Sequence, residues 1–146
     1  MNRRPTLTLA KTRKKQETLQ RQQEHNARIR AEKTAANIRR RDSKRSVVRV
    51  LGEQYSAVFD LDNPKPLMCG IQKAVIKNLR DLPEDFTATQ IRQGIHYYCR
   101  RKEYFESYLK HTHRFDLTGS PVEPISEEHR AFAAEKLQRL ERTRQS

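Results

Sequence analysis

Residues 110–121, KHTHRFDLTGSP, put two histidines, a lysine and an arginine against a turn signal. Those side chains could do three kinds of chemistry. Imidazoles can ligate a metal, a histidine pair can respond to pH, and a cation held on a turn can meet an anionic ligand. Spacing alone leaves the three open. On a strand His111 and His113 would share a face, yet two imidazoles do not complete a metal site. Cys69, Cys99, His96 and His129 add no C-x-x-C or H-x(3–5)-H spacing, so no metal is assigned. There is also no Gly-rich phosphate loop, no G-x-S-x-G and no H-E-x-x-H, in a chain with only four glycines. No catalytic residue and no cofactor are assigned, and enzyme activity is not expected.

A second cluster points elsewhere. Arg92, His96, Arg100, Arg101 and Lys102 gather along one predicted helix and its end, interleaved with Tyr97, Tyr98 and Tyr104. Cations beside aromatics can pair with phosphates while offering stacking faces to unpaired bases. The same spacing also fits core tyrosines flanked by solvated cations, and the residues alone do not separate the two.

The charge balance names the class of partner. Among 146 residues, 31 Lys and Arg stand against 18 Asp and Glu, a net charge of +13. Residues 1–50 hold 16 Lys/Arg and 4 Asp/Glu, a net of +12, while residues 51–146 hold 15 and 14, a net of +1. Arg13, Lys14, Lys15 and the run Arg39, Arg40, Arg41 mark the basic arm. Such asymmetry points to a polyanion, with nucleic acid ahead of a membrane surface. No apolar run approaches a spanning helix, no signal peptide opens the chain, and the arm lacks the apolar face of an interfacial helix. Cys69 and Cys99 lie in apolar helical patterns and read as small core residues of a reduced, cytoplasmic protein.

The elements that must position these groups follow from periodicity. Residues 1–45 are too poor in large apolar groups to build a core, so the arm is expected to be largely disordered or transiently helical. From Ser46 a second domain, 46–146, begins. Val47, Val48, Leu51, Tyr55, Val58 and Phe59 recur at helical spacing. A second helix is expected from about Leu67, burying Leu67, Ile71, Val75 and Leu79, with Lys73 and Lys77 facing out. Thr87 and Gln90 form a capping box for a third, and RRKEYFESYL continues as a fourth. HRFDL and SPVEP read as two short strands around Gly119, and Ser126 caps a last helix that is acidic at its start and basic at its end. The fold class is mainly α, a compact helical domain with one small β-hairpin.

Three segments carry a resemblance. PKPLMCGI, TATQIRQGIHYYCRRKEYF and HRFDLTGSPVEPIS, in that order and spacing, resemble the ProQ/FinO family of bacterial RNA chaperones over roughly residues 46–142. RRPTLTLAKTRKK, LMCGI and AAEKLQRLERTRQ look closer to the fertility-inhibition branch than to the chromosomal one. The resemblance implies a mostly helical domain that binds terminator-like RNA, a GC-rich stem with a U-rich 3′ tail ending in a free hydroxyl. It implies RNA contacts at Lys65, at Arg92 with Thr89 and Gln90 beside it, at Tyr104, and at Arg114, which joins Tyr104 at the 3′ end. Met68, His96 and Glu103 depart from the family pattern, and Arg100, Arg101 and Lys102 stand nearby to compensate. Lys73, Lys77 and Tyr98 complete the candidate RNA-binding set.

The function expected is therefore a monomeric RNA chaperone that protects a small or antisense RNA and promotes pairing with its mRNA target. A DNA-binding, nucleoid-associated protein and a structural adaptor for RNA–protein assembly are the alternatives. Arg114 is expected to be an exposed cation on the hairpin.

Overall fold

The computed structural model describes residues 4–145; residues 1–3 and 146, the outer ends of the two predicted domains, lie outside the described residues. The chain divides into two units, Met1–Arg41 and Asp42–Ser146.

Helix α1 spans Arg4–Gln54 and so runs through the position where the sequence reading started a separate helix. No glycine precedes Gly52 and no proline lies between Pro5 and Pro64. Lys, Arg, Gln, Glu and Ala favour helix, and nothing in the backbone stops one. Once Val47, Val48, Val50 and Leu51 are buried and helical, each residue before them adds a hydrogen bond without a new nucleation cost. Of the two states expected for the arm, largely disordered or transiently helical, the described residues adopt the helical one. From residue 8 to 41 every side chain is exposed except the half-buried Ala36. Leu9, Leu19, Ile29 and Ile38 are exposed too. Their spacings of 10, 10 and 9 residues, at about 100° per residue, scatter them around the helix axis and leave no apolar stripe.

The second unit has a core. Val47, Leu51, Val58, Val75, Ile91, Ile95 and Tyr98 are almost fully inaccessible. Val58 and Phe59 are buried after α1 has ended, in the turn that follows it. Helix α2 is Ile71–Lys77, followed by a 3-10 turn at Leu79–Asp81. Helix α3 is Ala88–Cys99 and begins on the expected capping box, with Thr87 Oγ1 accepting from Gln90 N and Gln90 Oε1 from Thr87 N. A Cβ at Gly94 would collide with the Val47 side chain, so only glycine allows α3 to approach α1 this closely. Helix α4 is Lys102–Lys110 and helix α5 is Glu127–Gln145, the latter capped by Ser126 Oγ, which accepts from His129 N at 3.2 Å.

Strands β1 (His113–Phe115) and β2 (Pro121–Pro124) pair antiparallel, with an irregularity between Arg114 and Phe115. Gly119 takes φ of 85° in the turn. Asp116 accepts from Thr118 N, Thr118 Oγ1 and Ser120 N, bonds that hold its carboxyl below the usual carboxylate range.

Two expectations need correction here. Helix α2 begins at Ile71, not Leu67, because Pro64 and Pro66 hold the preceding chain extended. Leu67 instead bridges to Phe115 beside β1, with Phe115 N donating to Pro66 O at 2.8 Å and Met68 N to Phe115 O at 2.9 Å. Cys69, read as a core residue, is exposed, since it falls in the turn before α2 rather than on a packed helix face.

Candidate nucleic-acid interface

The most unusual polar group in the fold is Arg114. It lies on β1 between two solvent-facing or half-buried neighbours, and the two-residue alternation of a strand turns it inward, leaving it 9% exposed. The expectation of an exposed hairpin cation is thus corrected. Polar partners waiting inside make this burial tolerable. Nη1 donates to the Leu67 carbonyl at 3.1 Å and to the Tyr108 hydroxyl at 3.2 Å, and Nη2 lies 3.0 Å from His129 Nδ1. The guanidinium also sits over the Tyr108 ring, 5.3 Å from its centre. Among the described residues no carboxylate lies within ion-pair distance of Arg114.

Tyr104 enters the same network from α4. Its hydroxyl accepts from Leu67 N at 3.2 Å and shares a 3.1 Å hydrogen bond with the Tyr108 hydroxyl. Leu67 is therefore held at both ends of its peptide, by Tyr104 at its N–H and by Arg114 at its carbonyl. Tyr104 is 5% exposed, and burial pushes its phenol well up, so it remains a neutral hydroxyl. The pair proposed for one ligand end thus meets through Leu67 and Tyr108. Tyr104 and Tyr108 stand at i and i+4 on one face of α4, their rings edge to face at 5.3 Å.

In front of this network is a pocket of about 260 Å³ whose walls include Tyr104, Tyr108, His129 and Phe132. It is continuous through Cys99, Phe105 and Phe132 with a cleft of about 620 Å³ that adds His96, Arg100, Lys136 and Arg139. Burial pushes the Cys99 thiol up to about 11, so it contributes an apolar wall. Phe132 is half-exposed with Lys136 Nζ 5.3 Å from its ring centre, an aromatic face beside a cation. Oxygen acceptors and bases of an unpaired strand match such a surface.

The other sequence-predicted residues are distributed around the second unit. Thr89, Arg92, His96 and Arg100 are exposed along α3 and its end, and Lys73 and Lys77 are exposed on α2. Arg92 and His96 share a shallow cleft of about 290 Å³ with Lys44. Arg101 instead joins Arg45, Arg49 and Tyr97 around another of about 360 Å³. Lys102 lies near Arg144 and Leu140 of α5. Lys65 is half-buried, its ammonium 5.1 Å from the centre of the Phe115 ring. The arm cations Arg13, Lys14, Lys15, Arg39, Arg40 and Arg41 are all exposed. Helix α4 starts without a side-chain cap at Arg101.

Tyr98 does not fit the set. It is 1% exposed, its hydroxyl accepts from Asp60 N and donates to Asp60 O, each at 3.1 Å, and its ring packs on Phe59 and Tyr104. No face is left for a base, and Tyr98 is a core residue. Conversely, Tyr108, His129, Phe132, Lys136 and Arg139 were not singled out as RNA contacts. The i, i+4 spacing of Tyr104 with Tyr108 and of Phe132 with Lys136 was legible, but nothing in the sequence says that α4 and α5 face one another.

Among the described residues no group of three or more His, Cys, Asp or Glu could hold a metal ion, and no helix is long and apolar enough to cross a membrane. The fertility inhibition protein of Escherichia coli (strain K12) is 27% identical over 95 residues, covering 65% of this chain and 51% of that protein. The RNA chaperone ProQ of Idiomarina loihiensis is 31% identical over 94 residues, covering 64% and 45%. The chain thus spans about half the length of the curated relatives it matches. In fold it is similar to a FinO-like RNA chaperone from Neisseria meningitidis, with a TM-score of 0.56 and 22% identity over 68% of this chain and 80% of that one. A ProQ homologue from Legionella pneumophila gives 0.55 and 24% over 66% and 81%. The ProQ/FINO family pattern itself matches residues 41–146, the whole of the packed unit and most of the chain, and the protein belongs to that family.

Proposed function

We propose that this protein is an RNA chaperone that takes the single-stranded 3′ tail of a terminator-like hairpin into the pocket before Arg114. It would protect a small or antisense RNA and promote its pairing with an mRNA target, acting in the cytoplasm as a monomer and without catalysis. The observation that carries this reading is a buried guanidinium with no carboxylate partner, behind a pocket whose polar walls are hydroxyl and imidazole groups. A positive charge left unneutralised in a poorly solvated wall attracts an anion strongly. The names of the relatives, a ProQ RNA chaperone among them, support the same partner class.

The division of labour follows from placement. Arg100, Lys136 and Arg139 line the cleft that continues the pocket, where the backbone of a tail would run. The arm supplies sequence-blind phosphate neutralisation, and its row of exposed cations screens repulsion between two RNA strands as they pair. The test is a competition among a hairpin with a 3′ tail, the same hairpin with its tail removed, and duplex DNA of equal length. The tailed hairpin should bind at least tenfold more tightly than either. A preference for the DNA would replace this reading with that of a DNA-binding protein.

A further inference from the structure

We infer that His129 is an RNA-contacting residue of the pocket, donating its Nε2–H to an acceptor oxygen of the last nucleotide. This rests on the proposed reading of the pocket as the site for an RNA 3′ end.

The argument starts from what a guanidinium can do. Arginine has five N–H donors and no acceptor. His129 Nδ1 lies 3.0 Å from Arg114 Nη2, so Nδ1 must present its lone pair. A neutral imidazole carries its single proton on the other nitrogen. Arg114 therefore sets the tautomer, and Nε2 becomes a donor. Nε2 has no hydrogen-bond partner among the described residues, and the ring lines the pocket.

The rest of the wall has the same polarity. The Tyr104 hydroxyl accepts from Leu67 N and the Tyr108 hydroxyl from Arg114, while one hydrogen bond joins the two oxygens. Two hydroxyl protons are available and that shared bond uses one. The other is free of that bond, and both tyrosines line the pocket. Behind these lining side chains, Arg114 has three of its five N–H groups engaged, through Leu67, Tyr108 and His129. In a largely apolar lining the polar groups are two hydroxyls and an imidazole, with no carboxylate among them, and they match acceptor oxygens, which at an RNA end are ribose hydroxyl and phosphate oxygens.

The position on α5 matters as well. Arg130, the next residue, donates to His111 O at 3.3 Å and ties this first turn of α5 to the end of α4. His129 is thereby presented from an anchored turn rather than from a loose loop.

The experiment separates contact from positioning by geometry. Asparagine can supply an acceptor near the place of Nδ1, but it is too short to put a donor at Nε2. Glutamine can reach the Nε2 position. Full-length wild type, His129→Gln, His129→Asn and His129→Ala would be titrated with a tailed hairpin and its tail-less form, each variant checked for folding by thermal unfolding. Glutamine should bind the tailed RNA close to wild type, while asparagine and alanine should bind it about tenfold more weakly, with tail-less binding unchanged. A tailed RNA lacking only its terminal 2′-hydroxyl, and one ending in a 3′ phosphate, tell a ribose contact from a phosphate contact. If asparagine restores full binding, His129 only positions Arg114, and the inference is overturned. It is equally overturned if all three variants match wild type. A wild type that does not distinguish tailed from tail-less RNA would remove the pocket reading itself.

Discussion

The two units of the chain use positive charge in opposite ways. Residues 1–41 hold 13 Lys/Arg against 3 Asp/Glu, a net of +10, and residues 42–146 hold 18 against 15, a net of +3. In the first unit the cations are many and interchangeable, and those from Lys11 onward are exposed, on a helix with no buried face among the described side chains. In the second, one arginine is buried and held by three named partners. An exposed cation keeps its hydration and is worth little until a phosphate arrives, when its effect depends on salt. A buried one has already lost its water, so its geometry is set before the ligand comes and its removal is felt by the fold. Charge number governs the first kind of binding and charge placement the second.

The largest effect should come from erasing the arm's half of this contrast. Replacing Arg13, Lys14, Lys15, Arg39, Arg40 and Arg41 together with glutamine removes up to six phosphate contacts. The slope of log affinity against log salt should then fall by about 4 to 5, at roughly 0.7–0.9 per contact, with about a hundredfold weaker binding at low salt. The preference for a tailed hairpin and the unfolding midpoint should both persist, since each exposed change is worth within about 0.5 kcal/mol of stability. Loss of tail preference along with the salt slope would mean the two units are not separable in function.

Next is Arg114→Ala. It strips a donor from the Leu67 carbonyl and the Tyr108 hydroxyl, and buried polar groups left unpaired cost about 1–3 kcal/mol each. The variant should lose about 2–4 kcal/mol in chemical denaturation, as well as at least tenfold in tailed-hairpin affinity. Arg114→Lys should recover only part of either, because an ammonium does not reproduce a planar donor fork. An unchanged denaturation midpoint for Arg114→Ala would return the residue to the class of the arm cations.

The smallest effect concerns His111, whose pKa is lowered from 6.5, first by burial and then by Lys65 and Lys110. The unfolded chain binds the proton more readily, so stability is complete above that value and declines as pH falls below it. The ring is only half-buried, so solvent still screens it and the effect is slight. Comparing wild type with His111→Gln at about pH 8 and about pH 5, the wild type should lose marginally more stability on acidification. The opposite sign would contradict the placement of His111, whose ring packs edge to face on Phe115 at 5.3 Å, beside the two lysines.

Legibility was uneven for a physical reason. Local signals held where they concern neighbours in sequence, as in the capping box at Thr87, the turn at Gly119 and the cap at Ser126. Helix propensity in the arm was also legible, but its persistence was not, because a helix extended from a packed segment avoids the nucleation cost that an isolated one bears. Tyr98 and Arg114 were misplaced for a shared reason. Residue type says that tyrosine can stack and that arginine is usually solvated, whereas burial depends on what stands opposite.

What the sequence by itself determined is the class: a cationic arm, a small helical core with a hairpin, and three motifs in register that identify the family. Charge, periodicity and turn chemistry are properties of residue order, and they act over a few positions. Only the tertiary structure decided which polar groups share a site. Tyr104, Tyr108, Arg114 and His129 are separated in sequence but meet around Leu67, because strand alternation turns Arg114 inward and α5 packs against α4. A buried guanidinium is tolerated only where fixed acceptors stand ready for it, and no pattern along the chain states where those acceptors will be.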